Sequence, residues 1–339
     1  MYRLYIMNKD NQTTENCDEK SSGNILKMDI PLWWIPLAGI ALSLLFFLLG
    51  YLGSYSRFCE LIVNFRVQYA LTAFVCSVIF LFIRKRRRYA VPGFMVFLVI
   101  SGTLFPFYIP PEPSKEPQNL IRIMHINVHT ESSGYTRVAD IVLKNHPDIL
   151  VLEEVDSKWM NELASLKNYF RYVKYDVRED NFGIALFSVY VPETCEVRTS
   201  KSGLVPYIYA NFALPRTKPF TVFALHTLPP VTQAGYSGRN EMLSEIAGEI
   251  RKNGGMSTVL IGDFNLTPWS VFFSRLEQES GLRNSQKGFG IQPSWPVTPP
   301  FLRIPIDHCL VSPEINVLKR SIGGEVGSDH FPLILDLQI

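Results

Sequence analysis

Several polar residues of this 339-residue chain recur at one kind of place, the end of a short apolar run. Asn127 closes such a run, Glu153 and Glu154 close the next, and His226 follows a third. Asp263 and Asn265 follow Val259-Leu260-Ile261-Gly262, Asp307 opens another run, and Asp329 and His330 precede the last. Singly, such residues read as caps and turns. Together, carboxylates, amides and imidazoles at strand ends can meet on one rim of a sheet. Carboxylate oxygens suit a hard divalent cation that also keeps water or substrate oxygens, and an imidazole near its ordinary pKa can pass protons at neutral pH. Other chemistries lack their signatures. There is no GxSxG elbow, no phosphate-binding loop, no GxGxxG and no CxxC or Cys/His cluster.

The elements that must position these residues are short. Strands are expected at 120–127, 148–155, 182–187, 207–214, 220–226, 258–262, 308–311 and 333–337, and helices at 135–145, 232–252 and 270–279. Runs such as Ile149-Leu150-Val151-Leu152 are apolar throughout, as in strands covered on both faces. Sheets layered with helices follow. Cys195 and Cys309 are available for a disulfide in an oxidising compartment.

Before this domain the chain has a different character. No charged residue occurs at 30–56, 67–83 or 89–111, lengths that match or approach the ~20 residues needed to cross a bilayer. Three membrane spans are expected at 30–51, 67–83 and 89–109. The loop Arg84-Lys85-Arg86-Arg87-Arg88 belongs on the cytoplasmic side, which puts the N-terminus inside and everything after the third span outside. Residues 1–29 read as a disordered cytoplasmic tail, and 110–119, with Pro110, Pro111, Pro113 and Pro117, as a stiff linker. Residues 1–119 carry 12 Lys+Arg against 8 Asp+Glu, whereas 120–339 carry 21 against 23. The basic excess belongs to the membrane region, and the C-terminal domain lacks the positive surplus of a duplex nucleic-acid binder.

Ile126-Asn127, Asp148 to Glu154, Gly262-Asp263-Phe264-Asn265, Ile306-Asp307-His308 and Ser328-Asp329-His330-Phe331-Pro332-Leu333 stand in one order along the chain. In that order they resemble the signatures of the endonuclease/exonuclease/phosphatase superfamily, over residues 120–339. Ser294-Trp295-Pro296 adds a likeness to membrane-anchored bacterial members with three spans. The resemblance implies an α/β fold, a four-layer α/β/β/α sandwich of the deoxyribonuclease I type behind three transmembrane helices. It implies a phosphodiester hydrolase using Mg²⁺, or Mn²⁺ or Ca²⁺, with Glu154 as first ligand and Asn127 and Asp329 as helpers. Asp263 would orient the attacking water, Asn265 hold the phosphate, His226 and His330 act as acid–base and phosphate-contacting pair, and Asp307 fix the tautomer of His330. Arg239 either reaches substrate phosphate or is a surface residue at a helix start. Trp269 and Trp295 either wall the substrate or pack.

Two departures stand out. Glu153 occupies the place of the family's usual Gln, where it could raise metal affinity, shift the ligating oxygen or point into the fold. Position 226 is His, as in the deoxyribonuclease and sphingomyelinase branches; the abasic-site endonuclease branch has Tyr. The expected substrate is therefore a phosphodiester outside the cytoplasm, in nucleic acid or nucleotide. The alternatives are a phospholipid or sphingolipid headgroup, or a non-catalytic scaffold that keeps the fold. No obligate protein partner is evident.

Overall fold

The computed structural model describes residues 31–110, 120–201, 205–215 and 217–339; the expected tail at 1–29 and nearly all of the linker at 110–119 lie outside them. The helices are α1 (Trp34–Leu49), α2 (Arg57–Val63), α3 (Arg66–Phe82), α4 (Ala90–Leu104), α5 (Tyr135–Asn145), α6 (Ser157–Glu162), α7 (Gln233–Lys252) and α8 (Val271–Ser280). The strands are β1 (Leu120–Asn127), β2 (Ile149–Glu153), β3 (Tyr172–Asp176), β4 (Ile184–Ser188), β5 (Thr194–Thr199), β6 (Pro206–Phe212), β7 (Phe220–Leu225), β8 (Ser257–Asp263), β9 (Arg283–Asn284), β10 (Asp307–Val311), β11 (Asn316–Ile322) and β12 (Leu333–Gln338).

Helix starts follow from local chemistry. Thr232 and Ser270 cap α7 and α8 by accepting from the amides of Gly235 and Phe272, each satisfying one orphan N–H of a first turn. The strands form two six-stranded sheets, ordered β11-β12-β1-β2-β4-β3 and β5-β6-β7-β8-β10-β9. Ile121, Ile123, Val151 and Leu186 of the first sheet pack on Ile208, Val222, Ile261 and Cys309 of the second. The outer face of the first sheet is covered by α5 and α6 through Val138, Val142 and Trp159. That of the second is covered by α7 and α8 through Leu243, Ile246 and Phe273. These are the four layers of the expected α/β/β/α sandwich. Cys195 and Cys309 are free thiols. They sit on β5 and β10, four strand spacings apart in one sheet, far beyond disulfide reach at ~4.8 Å per spacing.

Among the described residues, two helices are long and apolar enough to cross a membrane, Trp34–Leu52 and Arg84–Tyr108. The second expected span, 67–83, corresponds to the bent pair Arg57–Val63 and Arg66–Phe82, whose axes meet at 62°. Ile40, Phe47, Ala73, Phe80 and Ile100 pack the three apolar helices together. A Cβ on Gly93 would come within 2.1 Å of Ser77 Oγ and 2.6 Å of Ile40, so a larger residue there would push these side chains aside where the helices approach closely.

This helical unit is more than a tether. The Glu60 carboxylate of α2 accepts from Arg239 Nη2 at 2.9 Å and Ser270 Oγ at 2.6 Å, with Glu60 and Arg239 both fully buried. Thr267 donates to Asn64 Oδ1, Tyr236 to the Gly53 carbonyl, and the Gly288 and Gly290 amides to the Phe107 carbonyl.

Candidate active site

Strand direction gathers the polar residues. The parallel pairs β1–β2 and β7–β8 run toward the same rim, where antiparallel β10 and β12 begin. Register places Asn127 beside Glu153 and Asp307 beside Asp263. At Gly262 (φ +150°) a Cβ would lie 1.9 Å from the Leu225 carbonyl oxygen and 2.4 Å from Glu153 Oε1. Only glycine lets β8 deliver Asp263 to the rim.

Asp263 is the centre of the arrangement. Its Oδ2 lies 3.7 Å from both His226 Nε2 and His330 Nε2, and its Oδ1 accepts from the Asn265 amide at 2.8 Å. Asp307 accepts from His330 Nδ1 at 2.9 Å, which turns Nε2 toward Asp263. Asn265 adopts the left-handed region (φ +50°) and donates its side-chain amide to the Thr227 carbonyl at 2.8 Å. Glu154 also has a positive φ, +61°, costly for a carboxylate residue. Its Oε1 accepts from Asn127 Nδ2 at 2.9 Å, while Asn127 Oδ1 accepts from the His129 amide. Asn127, expected among the ligands, thus orients Glu154 as a donor. Asp329 accepts from Trp295 Nε1 at 2.8 Å.

Glu154, Asp263, Asn265, Asp329, His226 and His330 line one cleft of about 430 Å³. Asp307 and Asn127 stand directly behind it. Arg239 does not reach it: burial against Glu60 and Tyr236 takes the guanidinium away from substrate, and its Nη1 instead donates to the Asn265 carbonyl at 2.9 Å. Trp295 belongs to the cleft wall, whereas Trp269 packs on Phe107 and Val63.

Behind the rim lies a buried row of alternating carboxylates and imidazoles. His125 Nε2 is 2.9 Å from Glu153 Oε2, and its Nδ1 is 3.5 Å from Asp307 Oδ1. Glu153 also accepts from the Asp263 amide at 3.0 Å. Of the three options for Glu153, the fold therefore takes the inward one. Burial disfavours the His125 cation, but the Glu153 and Asp307 charges outweigh it and raise its pKa. The same contest at His330, burial against Asp307 and Asp263, ends with its pKa raised to about 10. Asp307 is held below the usual carboxylate range: burial opposes its charge, but His330 and His125 prevail. Asp263 is pushed up to about 7, by burial first and then by the Asp307 charge. A cationic imidazole and a carboxylate poised near neutrality thus share one wall, as acid–base chemistry requires. His125 and His129 were missed in the sequence reading: His125 lies within an apolar strand run, and His129 reads as a loop residue.

The order of these signatures and the rim they build decide the relationship. Residues 124–330 match the Endonuclease/Exonuclease/phosphatase family. The chain belongs to that family. Among solved structures, the endonuclease/exonuclease/phosphatase of Bacteroides vulgatus aligns at 18% identity over 66% of this chain and 100% of that one, TM-score 0.54. TDP2 of D. rerio, complexed with single-strand DNA product, aligns at 12% identity over 66% and 100%, TM-score 0.57. The 3′ phosphatase NExo from Neisseria, bound to product DNA hairpin, aligns at 19% identity over 63% and 98%, TM-score 0.53. At these identities the likeness concerns the fold. No curated protein matches the chain. The family comprises hydrolytic phosphoesterases and nucleases and is generally dependent on divalent metal.

The residues present fit such an ion. Ligand atoms of Asp263, Asp307 and His330 lie within 4.8 Å of one another, but Asp307 and His330 are already hydrogen-bonded to each other. Glu154 and Asp329 face the cleft mouth on either side of His129, 3.7 and 3.6 Å from its Nδ1. Four carboxylates line the cleft, and none of its described lining residues is Lys or Arg. An oxygen-rich set of this kind suits Mg²⁺, Mn²⁺ or Ca²⁺.

Proposed function

We propose that this protein is a membrane-anchored, divalent-metal-dependent phosphodiester hydrolase whose catalytic domain lies outside the cytoplasm. The observation that carries the reading is the meeting of Asp263 with two imidazoles and the Glu154–Asp329 carboxylates in one cleft. Glu154 and Asp329 would hold a divalent cation, which when bound would supply charge neutralisation at the phosphoryl oxygens. Asp263 orients a water and takes its proton. His330, kept cationic by Asp307, faces the phosphate and with His226 stabilises the charge that develops there. Asn265, braced by Arg239, presents its amide edge to the cleft. The non-catalytic scaffold reading predicts loss of one of these groups, and all are present.

Metal dependence has a direct test. Chelation of divalent cations, or Glu154→Gln, is expected to lower hydrolysis of bis(p-nitrophenyl) phosphate by the full-length protein by about 10²–10³-fold. Undiminished turnover in chelator rejects the reading.

The placement of the domain is supported by the contacts of the helical unit. Gly53, Glu60, Asn64, Gln68 and Phe107 all bond to the catalytic domain, while Arg84–Tyr89 joins α3 and α4 at the opposite end. With that basic turn in the cytoplasm, the domain sits across the membrane. A reporter fused after Ile339 and active only in the cytoplasm is expected to stay silent; activity overturns this topology.

A further inference from the structure

The cleft continues onto the helical unit. Its lining includes Leu61 of α2 and Asn64 just after it, beside Pro229, Pro230, Val231, Ile304 and Ile306. The two segments flanking its mouth are tied to the helices: Arg57 donates to the Val231 carbonyl, and Gln68 donates to the Phe301 and Arg303 carbonyls. At these ties large apolar side chains face outward: Phe58 is 61% exposed, Val231 67% and Phe301 72%. The ties run to Arg57 at the start of α2 and Gln68 in the first turn of α3, and α2 lies at 62° to α3, an orientation suited to the interface plane of a bilayer.

Charge points the same way. A nucleic-acid backbone needs cations along its path, yet the described residues lining the cleft include none besides imidazoles, and four carboxylates. Nearby guanidinium groups bond to protein oxygens: Arg57 to Val231 O, Arg303 to Val297 O, and Arg239 to Glu60 and Asn265 O. Such a cleft accommodates one phosphate with a neutralising metal ion, and an apolar body beside it.

Building on the hydrolase reading above, we infer that the substrate is a phospholipid of the bilayer in which the protein is anchored, its apolar part lying over Leu61, Val231 and Phe301 while its phosphodiester meets Asp263, His226 and His330. In the reaction a water oxygen bonds to phosphorus as its proton passes to Asp263. The phosphorus–oxygen bond to one ester oxygen breaks, and that oxygen leaves as an alcohol after taking a proton from an imidazole. The products are a phosphomonoester and an alcohol, with no change of oxidation state.

The test uses the full chain reconstituted into vesicles of phosphatidylethanolamine, phosphatidylglycerol and sphingomyelin. Loss of intact phospholipid is compared with cleavage of a single-stranded oligodeoxynucleotide at equal phosphate concentration, with bis(p-nitrophenyl) phosphate as the soluble reference. The expected result is lipid turnover well above oligonucleotide turnover. The exposed pair Phe301→Ser/Leu302→Ser is expected to lower the ratio of lipid to soluble-ester turnover by about tenfold. Oligonucleotide turnover above lipid turnover overturns the inference and leaves the hydrolase reading standing, as does a ratio unchanged by the double substitution. No turnover of any of the three overturns both.

Discussion

Replacing Asp263 with Asn is expected to lower kcat/KM for a soluble phosphodiester by about 10³–10⁴-fold while the protein stays folded. The side chain keeps its shape, and the amide oxygen can still accept from the Asn265 backbone. What disappears is the negative oxygen 3.7 Å from both imidazoles. An amide in that place cannot take a proton from water, and it can set an N–H against that of the cationic His330. The wild-type pH profile follows from the same cluster. Activity requires Asp263 ionised, so it rises as pH climbs through about 7. It also requires His330 protonated, so it falls as pH passes about 10. In the residual activity of Asp263→Asn the lower limb should vanish. A stopped assay across pH 5–11 with circular dichroism as a control for folding measures both. Near wild-type activity in the Asn variant rejects Asp263 as the base.

The second large effect concerns stability. Glu60→Ala is expected to destabilise the protein by about 3–5 kcal/mol, because it strands a fully buried guanidinium. Arg239 would keep its bonds to Asn240 and the Asn265 carbonyl, but its only ion-pair partner among the described residues is Glu60. Thermal unfolding in detergent reads the loss. The double change Glu60→Leu/Arg239→Met should recover most of it, since an apolar pair of similar volume avoids the desolvation cost of two ions. If Glu60→Ala unfolds within about 1 kcal/mol of wild type, the pair lies in water and the helical unit does not hold the domain.

Much of the fold was legible from local pattern. The helices expected at 135–145 and 232–252 and the strand expected at 120–127 appear there, the second helix starting one residue later behind its Thr232 cap. The strands that escaped the sequence reading are β3, β5, β9 and β11, and they are the four edges of the two sheets. An edge strand pairs on one side only and keeps polar residues toward water. Tyr-Val-Lys-Tyr-Asp and Thr-Cys-Glu-Val-Arg-Thr therefore lack the continuous apolar run that marks β2 or β8. The short α2, with Arg57 and Glu60 interrupting its apolar residues, was hidden for the same reason.

The site divides in the same way. Chain order and residue type sufficed to pick out Glu154, Asp263, Asn265, Asp307 and His330, because strand termini of a layered sheet converge wherever the sheet puts them. Sequence also determined the three apolar stretches and the basic turn between the second and third, since both depend on composition over contiguous residues. Contacts between residues far apart in the chain were decided only by the tertiary structure. Arg239 is drawn to Glu60, 179 positions away, and not to substrate; Glu153 and His125 turn inward to build a buried charge row. Nothing local distinguishes an Arg that faces a cleft from one that faces a buried carboxylate. The choice is made by which surfaces the packed layers leave open, and by the cost of burying a charge without its partner.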